Sequence, residues 1–157
     1  MTFDKKTSCC FTGHRVIPNS EILKVDEKTE TVCKALIKKG YKTFITGGAR
    51  GFDTIAAQCV LRLKKEYDIK LVIAVPCREQ SKGWGREDKD IYDKIPHFAD
   101  EVIVLSEDYT LECMHKRNRF MVDNSSVCIA YLKRMSGGTA YTVNYAADEE
   151  RDIIFIG

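Results

Sequence analysis

The sequence contains no apolar run that approaches the ~20 residues needed to cross a bilayer. Its first six residues are polar and charged, unlike the apolar core of a secretory signal. A strong overall charge is also lacking, since 25 Lys and Arg residues against 23 Asp and Glu residues give a formal net charge of +2. We therefore expect a cytoplasmic protein without a membrane partner, for which nucleic acid is an unlikely ligand and anion binding is local.

A disulfide or zinc framework is not expected, although there are seven cysteines. Their number is odd and no C-x-x-C pair occurs. Five lie within or beside apolar segments: Cys9, Cys10, Cys59, Cys77 and Cys128. We interpret them as reduced core residues. Cys113 and His115 could bind a metal ion, but two ligands do not make a site, so no metal site is predicted. We also expect no required cofactor, with a nucleotide as a possible ligand.

The length and composition are those of one globular domain over residues 1–157, with 44% apolar and 31% charged residues. Short apolar runs alternate with helical patterns, which predicts a doubly wound, mainly parallel α/β sheet with helices on both faces. The strands are predicted at 8–12, 43–46, 71–75, 101–105, 127–131 and 153–156. The helices are predicted at 20–39, 53–67, 87–95, 111–124 and 140–149. Gly40 is expected to end the first helix and Asp53 to cap the second.

Ligands of such sheets bind beyond the carboxyl ends of the strands, so the loops there are the candidate site. The first strand ends in Thr12-Gly13-His14-Arg15. Gly13 permits close backbone approach, while His14 and Arg15 bring a titratable donor and a fixed cation. A plain turn with two solvated side chains is the alternative.

A Gly-rich loop, Thr46-Gly47-Gly48-Ala49-Arg50-Gly51-Phe52-Asp53, follows the second strand and leads into a helix. It matches neither the dinucleotide fingerprint nor the P-loop. Gly47, Gly48 and Gly51 would let backbone N–H groups converge on an anion at the helix N-terminus, with Arg50 as a clamp. The alternative is that the glycines only shape a tight turn.

A second Gly-rich turn, Ser136-Gly137-Gly138-Thr139, precedes the last helix, where Thr139 can cap the helix or donate to a phosphate. The helix before the fifth strand carries His115, Arg117 and Arg119, of which His115 and Arg119 share one face. The irregular segment 76–88 holds the single tryptophan, Trp84, as a stacking platform, a lid residue or a buried anchor.

Taken together, these motifs resemble the SLOG superfamily, the Rossmann-like group that joins DNA-processing protein A to the Lonely Guy phosphoribohydrolases, and most of all its bacterial YpsA-like family. The resemblance also rests on the segments at 118–125 and 142–146 and on Ala56 and Ala57. It implies that Arg117, in Met114-His115-Lys116-Arg117, contacts a phosphate or ribose. It also places Thr142 where the hydrolases carry a glutamate, and a hydroxyl cannot replace that group as a base.

Three functions follow as hypotheses. The first is a sensor or adaptor that binds a nucleotide or nucleotide derivative through both Gly-rich loops. The second is a hydrolase of nucleoside 5'-monophosphates at the N-glycosidic bond, with Asp53 or Asp123 in place of the glutamate. The third is a single-stranded DNA binder, for which Arg117, Arg119, Lys133 and Arg134 offer local charge. Homo-oligomerisation stays open.

Overall fold

The computed structural model describes residues 3–78, 80–110 and 112–157. Its strands are β1 (Ser8–Gly13), β2 (Thr43–Thr46), β3 (Lys70–Val75), β4 (Glu101–Val104), β5 (Val127–Tyr131) and β6 (Asp152–Phe155). Its helices are α1 (Asn19–Lys38), α2 (Phe52–Leu63), α3 (Arg86–Lys94), α4 (Cys113–Asp123) and α5 (Gly137–Asp148). All six predicted strands and five predicted helices are present. Position 111, where the fourth helix was predicted to begin, lies outside the described residues.

The six strands form one sheet in the order β4-β3-β2-β1-β5-β6, and every adjacent pair is parallel. The chain builds the sheet outward from β1 to β4, then returns to the other side of β1 for β5 and β6. This confirms the predicted doubly wound α/β fold. Strand order reverses between β1 and β5, so their carboxyl ends flank the expected ligand crevice.

Helices cover both faces of the sheet and explain why the central strands are continuous apolar runs. On one face, Phe11, Phe44 and Phe52 form part of a large buried cluster with residues of α1 and α2. On the other face, Met121 of α4 and Ala146 of α5 belong to a second buried cluster. The sheet is therefore fixed from both sides, and its loop edge is held rigidly.

The ends of two helices test the predicted caps. Gly40 follows the last residues of α1 with φ 100°, as predicted for a helix stop. The predicted cap at Asp53 is wrong, because Gly51 occupies the N-cap position of α2 with φ 74°. The backbone there passes so close to the first loop that an added Cβ would lie 2.6 Å from the His14 carbonyl oxygen. Asp53 is instead a buried residue of the first helical turn.

All seven cysteines are buried thiols. Burial was predicted for five of them, Cys9, Cys10, Cys59, Cys77 and Cys128. Burial raises the pKa of the Cys9 thiol well above its usual value, which keeps the sulfur protonated and unreactive. No helix among the described residues is both long enough and apolar enough to span a membrane.

The close contact of β1 with α2 predicts that Gly13→Ala destabilises the fold. A Cβ on Gly13 would lie 2.5 Å from Cγ of the fully buried Phe52, so the ring must move within a packed core. We expect a loss of about 1–3 kcal/mol in the free energy of unfolding, measured by urea titration. Gly85→Ala is the matched control, because nothing lies within 4 Å of its added Cβ. Equal stability of the two variants would contradict this packing.

Candidate functional site

A cleft of about 600 Å³ opens where the strand order reverses. Its walls come from the loop after β1, the loop after β2, the cleft-facing side of α4 and the first turn of α5. Eight of the predicted site residues line it: Gly13, His14, Arg15, Arg50, Arg117, Gly137, Gly138 and Thr139. The structure thus gathers four separate sequence segments at one site.

The N-terminus of α5 forms one wall of this cleft. Ser136 is its N-cap residue, and no side chain makes a capping hydrogen bond there. Gly137 adopts φ 83°, a conformation that favours glycine, and both Gly137 and Gly138 are exposed. The first N–H groups of a helix have no partner within the helix, so this turn offers donors to an anion in the cleft. Thr139 is buried and does not act as the cap.

The Gly-rich loop after β2 uses its backbone differently. The N–H of Phe52 donates to the His14 carbonyl at 3.1 Å, and the N–H of Ala49 donates to Asp53 Oδ2 at 3.2 Å. These donors are therefore committed within the protein. Gly47, Gly48 and Gly51 do not line the cleft.

Gly47 is required for a different reason, which is the space that it leaves for Arg117. A Cβ on Gly47 would lie 2.7 Å from Arg117 Cζ and 2.9 Å from Asp53 Oδ2. Gly48 faces away from the cleft, toward Ile73 and Tyr92. The loop after β2 therefore shapes the cleft from behind and contributes Arg50 to its lining.

Arg117 connects four segments of the chain at the back of the cleft. Its Nη1 donates to the Gly47 carbonyl at 2.6 Å, to the Ala74 carbonyl at 3.4 Å and to Gln80 Oε1 at 3.3 Å. Its Nε donates to Asn118 Oδ1 at 2.7 Å. Arg117 is only 4% exposed, so it serves as a buried tie between loops and presents little of its surface to a ligand.

Asp53 is a buried acid whose charge opposes that of Arg117 without forming an ion pair with it. Burial raises the pKa of the Asp53 carboxyl group, while the Arg117 guanidinium, the Ala49 N–H and Arg15 act in the opposite direction. Burial also lowers the pKa of Arg117, and the Asp53 carboxylate opposes this. Each charge therefore offsets part of the burial cost of the other, although burial remains the larger effect on both groups.

His14 joins the first loop to the loop that precedes α5. Its Nε2 accepts a hydrogen bond from the Lys133 N–H at 2.8 Å, so the ring is neutral with its proton on Nδ1. The ring also packs edge-on against buried Tyr131, with centroids 5.9 Å apart. Burial, and then the Arg134 charge, lower the pKa of His14. His14 therefore positions the Gly-rich turn of α5.

Arg119 and Trp84 also lie outside this cleft. Arg119 donates through Nη1 to the Tyr141 hydroxyl at 2.8 Å, and His115 stacks on the same tyrosine ring with centroids 3.9 Å apart. This confirms that His115 and Arg119 share a face of α4, but only His115 lines the cleft. Trp84 lines a second cavity of about 420 Å³ beside it.

Sequence reasoning missed Gln80, which holds the loop after β3 against the loop after β2. Its Nε2 donates to the Gly47 carbonyl at 3.2 Å while its Oε1 accepts from Arg117. The irregular segment 76–88 was recognised, but a glutamine within it carries no pattern. Among the described residues, no group of three or more His, Cys, Asp and Glu side chains could hold a metal ion.

The family model of the YspA SLOG family (YpsA) matches residues 18–154. The chain belongs to this SLOG family. One relative is the SPbeta prophage-derived protein YoqJ of Bacillus subtilis, which is 37% identical over 142 residues, or 82% of this chain and 83% of YoqJ. A UPF0398 protein of Bacillus licheniformis is 26% identical over 132 residues, or 75% of this chain and 68% of that protein. The predicted family is confirmed.

Solved structures share the SLOG fold at low sequence identity. DNA processing protein A (DprA) of Streptococcus pneumoniae superposes with a TM-score of 0.70 and 19% identity over 96% of this chain and 50% of DprA. DprA of Helicobacter pylori, described with a single-stranded DNA binding mode, superposes with a TM-score of 0.67 and 19% identity over 94% of this chain and 64% of that protein. This chain thus spans about half to two thirds of DprA. The expectation that nucleic acid is an unlikely ligand is therefore not supported, because the Helicobacter pylori neighbour is described as binding single-stranded DNA.

Loss of its hydrogen bonds predicts that Arg117→Met costs this SLOG protein about 1–3 kcal/mol in the free energy of unfolding, because Asn118 and Gln80 lose their charged donor and buried Asp53 loses the cation that opposes its burial. The double variant that also carries Asp53→Asn should recover part of that loss, since the two residues interact. Urea titration of the wild type, both single variants and the double variant measures the coupling. Arg134→Met, at an exposed position, is the control. Additive losses would show that the two charges are independent.

His14 predicts a pH dependence of stability. Its pKa is lowered in the folded protein, so the neutral form is favoured there, while the unfolded chain takes up a proton near its ordinary value of 6.5. The stabilisation is therefore present above pH 6.5 and is lost as pH falls below that value. Urea midpoints between pH 8 and pH 5.5 should fall less for His14→Gln than for the wild type. His97→Gln, at an exposed position, should follow the wild type.

Proposed function

We propose that this SLOG protein is a sensor or adaptor that binds a nucleotide or nucleotide derivative in the cleft between the ends of β1 and β5. The observation that carries the proposal is the uncapped N-terminus of α5, which opens into that cleft. Phosphate is the group that such a turn favours, because N–H donors and the helix dipole act together. The volume of about 600 Å³ is within the range of small-molecule sites.

The charge of the lining supports an anionic ligand. Among the described residues, the charged groups that line the cleft are Arg15, Arg50, Arg117, Arg134 and Asp53. Four arginines against one carboxylate give the lining a net positive charge. This positive field is local, in a chain whose net charge is only +2.

Asn118 adds a neutral donor beside the α5 turn. Its Oδ1 is fixed by Arg117 Nε at 2.7 Å, which orients the amide nitrogen away from Arg117. That nitrogen lies 3.9 Å from the position of a Cβ on Gly138. A phosphate at the helix N-terminus can therefore accept from Asn118 as well as from backbone N–H groups.

Hydrolysis of an N-glycosidic bond remains a second candidate because Asp53 lines the cleft and burial raises its pKa. Two observations favour binding without cleavage. Thr142 is 1% exposed, and its hydroxyl donates to the Gly138 carbonyl at 2.9 Å. Asp123 is exposed and accepts from the Tyr145 hydroxyl at 2.7 Å, away from the cleft lining.

Gly138→Asp tests the proposed phosphate site. The added carboxylate should repel a phosphate at the α5 turn, yet a negative charge in the first turn of a helix favours folding. We expect AMP affinity to fall at least about tenfold, the effect of ~1.4 kcal/mol. Gly138→Asn has the same shape without the charge and should bind more tightly than Gly138→Asp. Ligand-observed proton NMR measures the affinity of both variants and of the wild type.

The same spectra, together with a gel-shift assay on labelled single-stranded DNA, separate the three functions. Saturable AMP binding without free adenine supports a sensor or adaptor, while steady adenine release identifies a hydrolase. Equal affinity of Gly138→Asp and the wild type would contradict the α5 phosphate site. Absence of AMP binding, together with a salt-sensitive shift of labelled single-stranded DNA, would favour the function described for the Helicobacter pylori neighbour.

A further inference from the structure

A second lobe adjoins the cleft on the side of the loop after β3. It has a volume of about 420 Å³ and shares Arg15, Arg50 and Met114 with the first cavity. Each cavity alone is within the ~300–1,000 Å³ of small-molecule sites. The two cavities therefore offer room for a ligand with two bulky parts, one on each side of the shared arginines.

The second lobe contains an aromatic platform that is already held in place. Trp84 is half-buried, and the Tyr92 ring stands against it at 5.1 Å between centroids with an interplanar angle of 78°. Arg50 Cζ lies 5.4 Å from the centroid of the Trp84 ring system. A tryptophan fixed by its neighbours loses little conformational entropy when a flat ring stacks on it.

Arg50, at the boundary of the two lobes, has an unmet hydrogen-bonding need. Its Nε is buried and has no hydrogen-bond partner. The guanidinium instead contacts the Trp84 ring, and an anionic ligand would supply an acceptor that the protein itself does not. Arg15 shares this boundary and is exposed, and Lys82 extends the positive charge into the second lobe. No carboxylate lines that lobe among the described residues.

We propose that the ligand is a dinucleotide in which two nucleosides are joined through phosphates. One nucleoside occupies the first cleft, the bridging phosphates contact Arg15 and Arg50, and the second base stacks on Trp84. The binding of one nucleotide in the first cleft rests on the proposed function, and the dinucleotide proposal adds a second base to it. It assigns Trp84 the part of a specificity residue that distinguishes dinucleotides from mononucleotides.

Three ligands separate the contributions: AMP, ADP-ribose and diadenosine diphosphate, each titrated by calorimetry and by tryptophan fluorescence. Trp84 is the single tryptophan, so quenching reports its environment alone. We expect diadenosine diphosphate to bind about tenfold more tightly than ADP-ribose, which has the phosphates but lacks the second base. Only diadenosine diphosphate should quench Trp84 strongly.

Trp84→Ala should reduce the affinity for diadenosine diphosphate to that for ADP-ribose, and it should lower AMP affinity by a smaller factor, because Arg50 loses its aromatic contact. Trp84→Phe should retain part of the difference, since it keeps a ring. Lys82→Gln changes an exposed residue and provides a second variant if Trp84→Ala fails to fold. Lys82→Gln should weaken the binding of ADP-ribose and diadenosine diphosphate but not that of AMP.

The proposal is overturned if diadenosine diphosphate and ADP-ribose bind equally and neither depends on Trp84. In that case AMP binding that is sensitive to Gly138→Asp would leave the proposed function intact. If none of the three ligands binds, both the dinucleotide proposal and the nucleotide-binding function fail together.

Discussion

The cleft depends on one buried cation. Arg117 holds the Gly47 carbonyl, the end of β3 and Gln80 with a single nitrogen, and Asp53 opposes its charge. Burying a guanidinium is costly, and here the hydrogen bonds of Nη1 and Nε and the Asp53 charge offset part of that cost. The loops after β2 and β3 and the helix α4 are consequently fixed relative to one another, which gives the cleft its rear wall.

At the front of the cleft, a neutral side chain, His14, joins two loops through a hydrogen bond. His14 accepts the Lys133 N–H and so fixes the approach to α5, whose own first-turn donors stay open. The N–H groups of Ala49 and Phe52 after β2 are used inside the protein, whereas Ser136, Gly137 and Gly138 before α5 line the cavity. The difference explains how two similar Gly-rich sequences take different parts in one site.

The sequence analysis predicted the fold well because periodicity and turn residues are local signals. The strands at 43–46 and 127–131 were predicted with their observed ends, and Gly40 ends α1 as expected. The cap at Asp53 was wrong because the need for Gly51 arises from a distant loop. For the same reason the resemblance implied a phosphate or ribose contact for Arg117, whereas its burial by three other segments could not be read from its own helix. Contacts between loops at the edge of the sheet leave no periodic pattern in the sequence.

The most direct test of the account is the amide spectrum of the ¹⁵N-labelled protein during titration with AMP. If a phosphate binds at the uncapped end of α5, the amide resonances of Gly137, Gly138 and Thr139 should shift progressively and saturate, while those of Gly47 and Gly48 change little. Shifts concentrated at Gly47 and Gly48, with the α5 turn unaffected, would contradict the account and assign the phosphate to the loop after β2.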